Sequence, residues 1–271
     1  MRIYRETIVA GKTIIRGLKP STMIHNKKGL KRKPKMNPTS EAVKKINLRN
    51  AERKLTALLN NNFKDRDYHL TLTYKGEAPS PEKAKKDITK FIRNIRNKMK
   101  RSEEDFKYIQ VTEYQNHRIH HHIVCSAIDP DIITNYWSNG GVNIKPLDTN
   151  GNYCKLAEYL IKETEKTFRL PESATKRRWS GSRNLEMPEI KKEIVSAREL
   201  DKELKAVKGY QIDQDSIRRY EHKILGIDCL EYIMVSLEPK PRLKKWKQGV
   251  SVGFEKHYKE TIESQERMDV G

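Results

Sequence analysis

The apolar positions of the chain follow two periods, one typical of helices and one typical of strands. Spacing of three and four residues predicts a helix from about 40 to 62 and a long helix that starts at the Ser80–Pro81 cap. Strict alternation predicts strands at Tyr68 to Tyr74, Tyr108 to Tyr114 and Ile119 to Ala127. The last two strands are separated by a short polar turn, which predicts an antiparallel hairpin.

The pattern continues with a short helix that begins at Pro130 and stops before the Gly140–Gly141 pair. A strand at Val142 to Leu147 and a helix at Tyr153 to Phe168 follow. The predicted order is therefore β-α-β-β-α-β-α. Together with the hairpin, this order predicts an α+β fold with a central antiparallel sheet of about five strands and flanking helices.

The outer segments carry weaker patterns. Residues 1–38 predict a short hairpin followed by a basic arm, and residues 190–271 predict a helix near 196 to 207, a short strand at Cys229 to Leu237 and a polar tail. The sequence thus divides into a basic N-terminal arm (1–38), a central domain (39–189) and a C-terminal extension (190–271) whose role the pattern does not indicate.

The charge changes the picture, because it is large and unevenly placed. Of 271 residues, 56 are Lys or Arg and 36 are Asp or Glu, and residues 1–66 alone hold 18 basic against 4 acidic residues. The densest run includes Lys31, Arg32 and Lys33. Such a run is either a solvated arm or a segment that lies along nucleic acid phosphates, and the net charge favours nucleic acid.

Several classes of protein are excluded by composition. The three cysteines are far apart, which argues against a disulfide framework and favours a reducing, cytoplasmic setting. No apolar run approaches the roughly 18 residues of a membrane helix, and the N-terminus lacks the apolar centre of a signal peptide. We therefore expect a cytoplasmic protein with no membrane partner.

The most informative string is HRIHHHIVCS, residues 117–126. In a strand, His120 and His122 project together from one face, where two imidazoles can ligate one cation. His121 falls on the opposite, apolar face and is expected to be a histidine at the edge of the core. His69, in the central strand, is a candidate to line the same site as the pair.

Glu113 is the candidate third ligand, because it lies across the predicted turn from His120 and its carboxylate suits Mg²⁺ or Mn²⁺. Simple alternation puts Glu113 on the face of Ile109 and Val111. We therefore expect the strand to bulge or end before Glu113. An ordinary surface carboxylate is the alternative.

Tyr159 is the candidate nucleophile. On the predicted helix it leaves the apolar stripe and shares a polar stripe with Lys155, Lys162 and Lys166. Nearby ammonium groups are expected to lower the cost of the phenolate anion. The alternative is a surface tyrosine on a basic helix.

These strings together resemble the His-hydrophobic-His ("HUH") single-strand endonucleases, and among them the rolling-circle replication initiators (Rep) of bacterial plasmids and phages. The likeness covers roughly residues 38–188 and rests on LTLTY, RIHHHIV with its upstream acidic residue, and YLIK, in that order. The chain departs from the family pattern at His121, where an aromatic or aliphatic residue is usual. It also has Glu163 where many relatives carry a second tyrosine, which implies a single-tyrosine type.

The resemblance implies an RRM- or palm-like fold and a role for each candidate residue. His120, His122 and Glu113 would hold Mg²⁺ or Mn²⁺ at the scissile phosphate. Tyr159 would attack phosphorus to leave a 5′-phosphotyrosyl link and a free 3′-hydroxyl, while Lys162 would stabilise the phenolate or bind phosphate. The implied function is site-specific nicking and joining of DNA that initiates rolling-circle replication.

The implied partners are single-stranded or cruciform origin DNA, with a host helicase and polymerase as further candidates. The residues expected to contact DNA are basic or aromatic and flank the site: Lys155, Lys166, Arg177, Arg178, Trp179 and Arg183, with Lys31, Arg32 and Lys33 in the arm. An exposed basic loop is the alternative for residues 177–183.

Other functions stay open at this point. A relaxase or single-tyrosine transposase would use the same chemistry for another purpose. A non-catalytic nucleic-acid-binding protein would need only the basic arm and the Trp179 loop. A zinc-dependent hydrolase would use the three histidines, although the chain lacks a general-base motif such as HExxH.

Overall fold

The computed structural model describes residues 3–20, 41–115, 118–165, 177–222 and 225–238. All of its elements belong to one unit, Met1–Pro239. In chain order, the helices are α1 (Glu41–Asn62), α2 (Pro81–Arg101), α3 (Pro130–Tyr136) and α4 (Cys154–Glu165). None of these described helices is both long and apolar enough to cross a bilayer. The described strands form two antiparallel sheets of five strands each, so the α+β prediction is confirmed.

The central sheet contains the predicted strands and the histidine hairpin. Its members are β3 (Tyr68–Leu72), β4 (Tyr108–Gln115), β5 (Arg118–Cys125), β6 (Val142–Pro146) and the two-residue β7 (Ser180–Gly181). The strand order is β6-β3-β5-β4-β7, which puts the histidine strand β5 in the middle. Each of the four longer strands and each of the four helices was predicted from the sequence, with shifts of a few residues at the ends.

The two faces of the central sheet are covered by different helices. One face packs Ile123 and Cys125 of β5 against Phe91 of α2 and Trp137 beside α3. The other face packs Val124 against α1 and α4. Alternation along β5 therefore sends successive side chains into two separate cores.

The second sheet, which we call the terminal sheet, joins both ends of the described chain. Its strands are β1 (Ile3–Ala10), β2 (Thr13–Pro20), β8 (Glu189–Val195), β9 (Tyr210–His222) and β10 (Ile227–Ser236), in the order β8-β1-β2-β10-β9. β1 pairs with β8 from Ile3↔Val195 to Val9↔Glu189. Residues 3–20 and 189–236, which the sequence assigned to separate segments, thus share one sheet.

The prediction of a helix near 196 to 207 is wrong. Only a four-residue 3-10 helix forms there, at Ala197–Leu200, and β8 and β9 on either side were not predicted. Both strands lie at the edges of the terminal sheet and pair on one side only. Edge strands carry many charged residues, so they lack the apolar alternation that reveals a strand in sequence.

Helix α1 is shared by the two sheets. Leu55 and Leu59 pack towards the central sheet and α4, while Ala57 contacts Ile8 and Ile15 of the terminal sheet. At the C-terminal end of α1, the buried Asn60 side chain donates to Thr13 Oγ1 at 2.8 Å and accepts from the Tyr153 backbone N–H at 2.8 Å. Asn60 therefore ties the terminal sheet, α1 and the start of α4 together.

Candidate functional site

The register of the β4–β5 hairpin puts the three proposed ligands on one face. Glu113 lies directly opposite His120, and Val111 lies opposite His122. Residues that face each other across an antiparallel pair project from the same side of the sheet. The expected bulge or strand end before Glu113 is therefore wrong: β4 runs without interruption through Glu113 to Gln115, and the face of Ile109 and Val111 is the histidine face itself.

His122 is buried at the centre of this face. Its Nε2 lies 3.4 Å from Glu113 Oε2. Its Nδ1 lies 3.3 Å from His69 Nε2 and 3.4 Å from Thr71 Oγ1, both on the neighbouring strand β3. If Nδ1 carries the proton and donates to one of these groups, Nε2 presents its lone pair on the Glu113 side.

Tyr159 lies against the same histidines. The centroid of its ring is 5.4 Å from that of His122 and 6.4 Å from that of His69, with the rings edge to face. Ala157, Leu160 and Ile161 bury the other side of α4 against α1 and the sheet. Tyr159 keeps 42% of its surface exposed, so the phenol borders both the histidines and solvent.

A second carboxylate enters the site from the next turn of α4. Glu163 hydrogen-bonds with Glu113, and this contact together with burial raises the pKa of Glu163. The hydrogen bond with His122 is the largest influence on Glu113 and lowers the pKa of that carboxyl. Sequence reasoning noted Glu163 only as the position of an absent tyrosine, because the contact depends on how close α4 comes to β4.

The electrostatic surroundings of Tyr159 differ from the expectation. Burial is the main reason that the pKa of Tyr159 is raised above its ordinary value, and the charges of Glu113 and Glu163 add to the effect. The lysines on α4 do not reverse the shift, since Lys155 forms an ion pair of 2.9 Å with Asp215 of β9 and Lys162 is solvent-exposed. The phenol is therefore protonated at neutral pH in the absence of a bound cation.

His121 lies on the opposite face of the sheet and belongs to the core. It is fully buried, with Tyr74 Oη 3.0 Å from Nε2 and Thr112 Oγ1 2.9 Å from Nδ1. Burial, with smaller contributions from the charges of His122 and His120, lowers the pKa of His121 to about 3. His121 is thus a neutral, hydrogen-bonded core residue and cannot share a ligand with His122.

The side chains around His122 fit the divalent cation expected from the sequence only in part. In residues 3–238, leaving out the undescribed gaps, no three His, Cys, Asp or Glu side chains are grouped closely enough to form a metal site as they stand. The donors nevertheless fit Mg²⁺ or Mn²⁺ chemically, because the Glu113 carboxylate adjoins an imidazole nitrogen and a second carboxylate contacts it. His120, opposite Glu113 and half-buried, completes the expected set.

The residues expected to contact DNA fall into three groups. Arg177 and Arg183 are exposed. Arg178 forms an ion pair with Glu165 at the end of α4, and Trp179 is half-buried against the core beneath α1 and α4. Lys166, Lys31, Arg32 and Lys33 lie outside the described residues.

The fold and site define a class: an α+β protein in which a central antiparallel sheet presents histidines and a carboxylate to a tyrosine on a following helix. Residues 67–168 match the family model of the replication-associated protein ORF2. The match includes every residue of the site, although it covers well under half of the chain. It supports a replication initiator of the Rep type, and hence DNA binding in replication. The chain matches no curated protein and no solved structure.

Proposed function

We propose that the protein is a divalent-metal-dependent, site-specific DNA nickase of the single-tyrosine type that initiates rolling-circle replication. The observation that carries the proposal is the contact between the Tyr159 ring and His122, which in turn adjoins Glu113. This geometry leaves a partly exposed phenol beside a hard-ligand set. A phosphodiester that approached from solvent would meet both.

Each side chain has a part in the proposed reaction. Tyr159 Oη forms a bond to phosphorus while the bond from phosphorus to the 3′-oxygen breaks, the phenol proton passes to water and the 3′-oxygen takes a proton from water. The products are a 5′-phosphotyrosyl link and a 3′-hydroxyl that a polymerase can extend. Mg²⁺ or Mn²⁺ held by His120, His122 and Glu113 would polarise the scissile phosphate.

Neighbouring side chains orient these groups. Thr71 and His69 fix the His122 ring from β3, and Asn60 fixes the residue before α4 through the Tyr153 N–H. Lys162, on the solvent side of α4 one turn beyond Tyr159, is placed to bind a phosphate or to stabilise the phenolate. The exposed basic residues Lys155, Arg177 and Arg183 would extend the contacts to flanking phosphates.

The test is covalent capture of DNA. The full chain is incubated with Mn²⁺ and a random single-stranded DNA library, adducts that survive denaturation are isolated, and the attached DNA is sequenced. We expect an adduct at one sequence, lost in Tyr159→Phe and kept in Tyr136→Phe, a comparably exposed tyrosine on α3 across the sheet. His122→Ala should remove metal-dependent cleavage and leave most DNA binding intact.

Other outcomes would replace the proposal. An adduct that persists in Tyr159→Phe would show that another residue is the nucleophile. Binding that falls steeply with salt, without cleavage in any divalent metal, would indicate a non-catalytic nucleic-acid-binding protein. A relaxase or single-tyrosine transposase would form the same adduct, and the trapped sequence would distinguish it, since it would map to a transfer origin or to element ends.

A further inference from the structure

The outer surface of α2 is a basic face on the far side of the central sheet from the candidate site. The buried side of this helix holds Ile88, Phe91, Ile92 and Ile95 against the sheet. The rest of the helix is exposed and carries nine basic residues, Lys83, Lys85, Lys86, Lys90, Arg93, Arg96, Lys98, Lys100 and Arg101. Only Glu82 and Asp87 oppose them within the helix.

The centre of this face forms a continuous line of positive charge. Lys86, Lys90 and Arg93 lie at spacings of four and three residues, which puts them on one side of the helix about 5–6 Å apart. All three side chains are exposed, and none forms an ion pair with another described residue. Ordinary solvated helices alternate charges of opposite sign at this spacing, so the unopposed line indicates an anionic partner.

We propose that the α2 face, defined by Lys86, Lys90 and Arg93, docks the phosphate backbone of duplex DNA. The inference rests on the proposed function, to which it adds a second DNA contact. An origin that is nicked in a single-stranded or cruciform region is continuous with paired DNA, and an initiator with a separate contact for the paired segment would hold both parts at once.

The chemistry of the face favours duplex over single-stranded DNA. Its exposed residues are Lys, Arg, Asn, Thr and Glu, with no aromatic side chain. Surfaces that hold single strands stack bases on aromatic rings, whereas a duplex offers a regular row of phosphates and hides its bases. The helix spans about 31 Å at 1.5 Å per residue, a length equal to about nine base pairs at 3.4 Å each.

The location of the face separates it from the reaction. His120, His122 and Glu113 project from the side of the sheet covered by α1 and α4, and α2 covers the other side. The sheet and α2 itself therefore lie between the line of charge and Tyr159. A phosphate bound on this face is not the phosphate that Tyr159 attacks.

The experiment compares the triple variant Lys86→Gln/Lys90→Gln/Arg93→Gln with a control that removes the same charge elsewhere. The control is Lys202→Gln/Lys205→Gln/Lys208→Gln, three exposed lysines between β8 and β9. Fluorescence anisotropy measures binding of a labelled random-sequence duplex and a labelled random single strand at several salt concentrations. The covalent capture assay with single-stranded DNA measures the reaction.

We expect the α2 variant to lose about three units from the slope of log affinity against log salt on the duplex. Over a fourfold rise in salt, its loss of duplex affinity should therefore be about 40-fold smaller than that of the unmodified chain. Single-strand binding and the yield of the Tyr159 adduct should stay within about twofold, and the control should behave like the unmodified chain on both probes.

Three results would overturn the proposal. These are an unchanged duplex slope in the α2 variant, an equal change in the control, and a single-strand affinity that falls as far as the duplex affinity. The readouts also keep the two proposals apart. A chain that forms no adduct but shows the duplex effect refutes the nickase and retains the docking face, whereas a normal adduct with an unchanged duplex slope does the reverse.

Discussion

The burial of His121 makes a quantitative prediction about acid stability. The imidazole stays neutral in the folded protein because its pKa is lowered to about 3, whereas in the unfolded chain it titrates near 6.5. Between these two values the unfolded state binds a proton that the folded state does not. Stability from this residue is therefore fully present above about pH 6.5 and is lost as the pH falls.

The magnitude follows from the two pKa values. At pH 5 the unfolded imidazole is about 1.5 pH units below its pKa, so its protonation lowers the free energy of unfolding by about 2 kcal/mol. His69, whose pKa burial lowers to about 4, behaves in the same sense. Its contribution at pH 5 is of similar size, about 2 kcal/mol.

The variant that isolates His121 is His121→Gln, which cannot titrate and can still hydrogen-bond with Tyr74 and Thr112. Urea unfolding at pH 7.5 and pH 5 gives the change in unfolding free energy for each protein. We expect this change to be smaller by about 2 kcal/mol in the variant. The adduct assay at pH 7.5 should be unaffected, because His121 faces away from the site. Equal pH sensitivity in the two proteins would refute the assignment of His121 as a neutral core residue.

Two further predictions concern the joints that hold the site together. Gly11→Ala should destabilise the protein by at least about 2 kcal/mol more than Gly76→Ala in urea unfolding, because both residues have positive φ but a Cβ at Gly11 would lie 2.0 Å from the Asn60 carbonyl oxygen and one at Gly76 would meet nothing within 4 Å. Equal losses would show that the turn can move away from α1. Asn60→Ala should cost about 2–4 kcal/mol by leaving buried partners such as the Tyr153 N–H unsatisfied, and it should lower the adduct yield by shifting the start of α4. The exposed Asn97→Ala is the control, and a matching result in both variants would contradict the role given to Asn60.

The local elements could be read from the sequence, because each depends on a periodic pattern within a few residues. Alternation along residues 118–125 correctly separated His121 from His120 and His122, and the helical wheel of α4 correctly put Tyr159 outside the apolar stripe. The order of these elements was also sufficient to predict the central antiparallel sheet.

Features that depend on pairing between distant segments could not be read in this way. The face of Glu113 relative to the histidines is set by the β4–β5 register, and the wrong choice of face created the expectation of a bulge. The terminal sheet forms only when β1 meets β8 and β2 meets β10, strands separated by most of the chain, and its charged edge strands carry no strong period.

The surroundings of Tyr159 depend on the tertiary structure for the same reason. The sequence shows three lysines on its stripe of α4, whereas the nearest charges in space include Glu113 from β4 and Glu163 from the next turn. By itself the sequence determined which residues share a helix or strand face, because those faces follow from 3.6- and 2-residue periods. Only the tertiary structure decided which faces meet, because cross-strand register and helix approach are fixed by contacts between residues far apart in the chain.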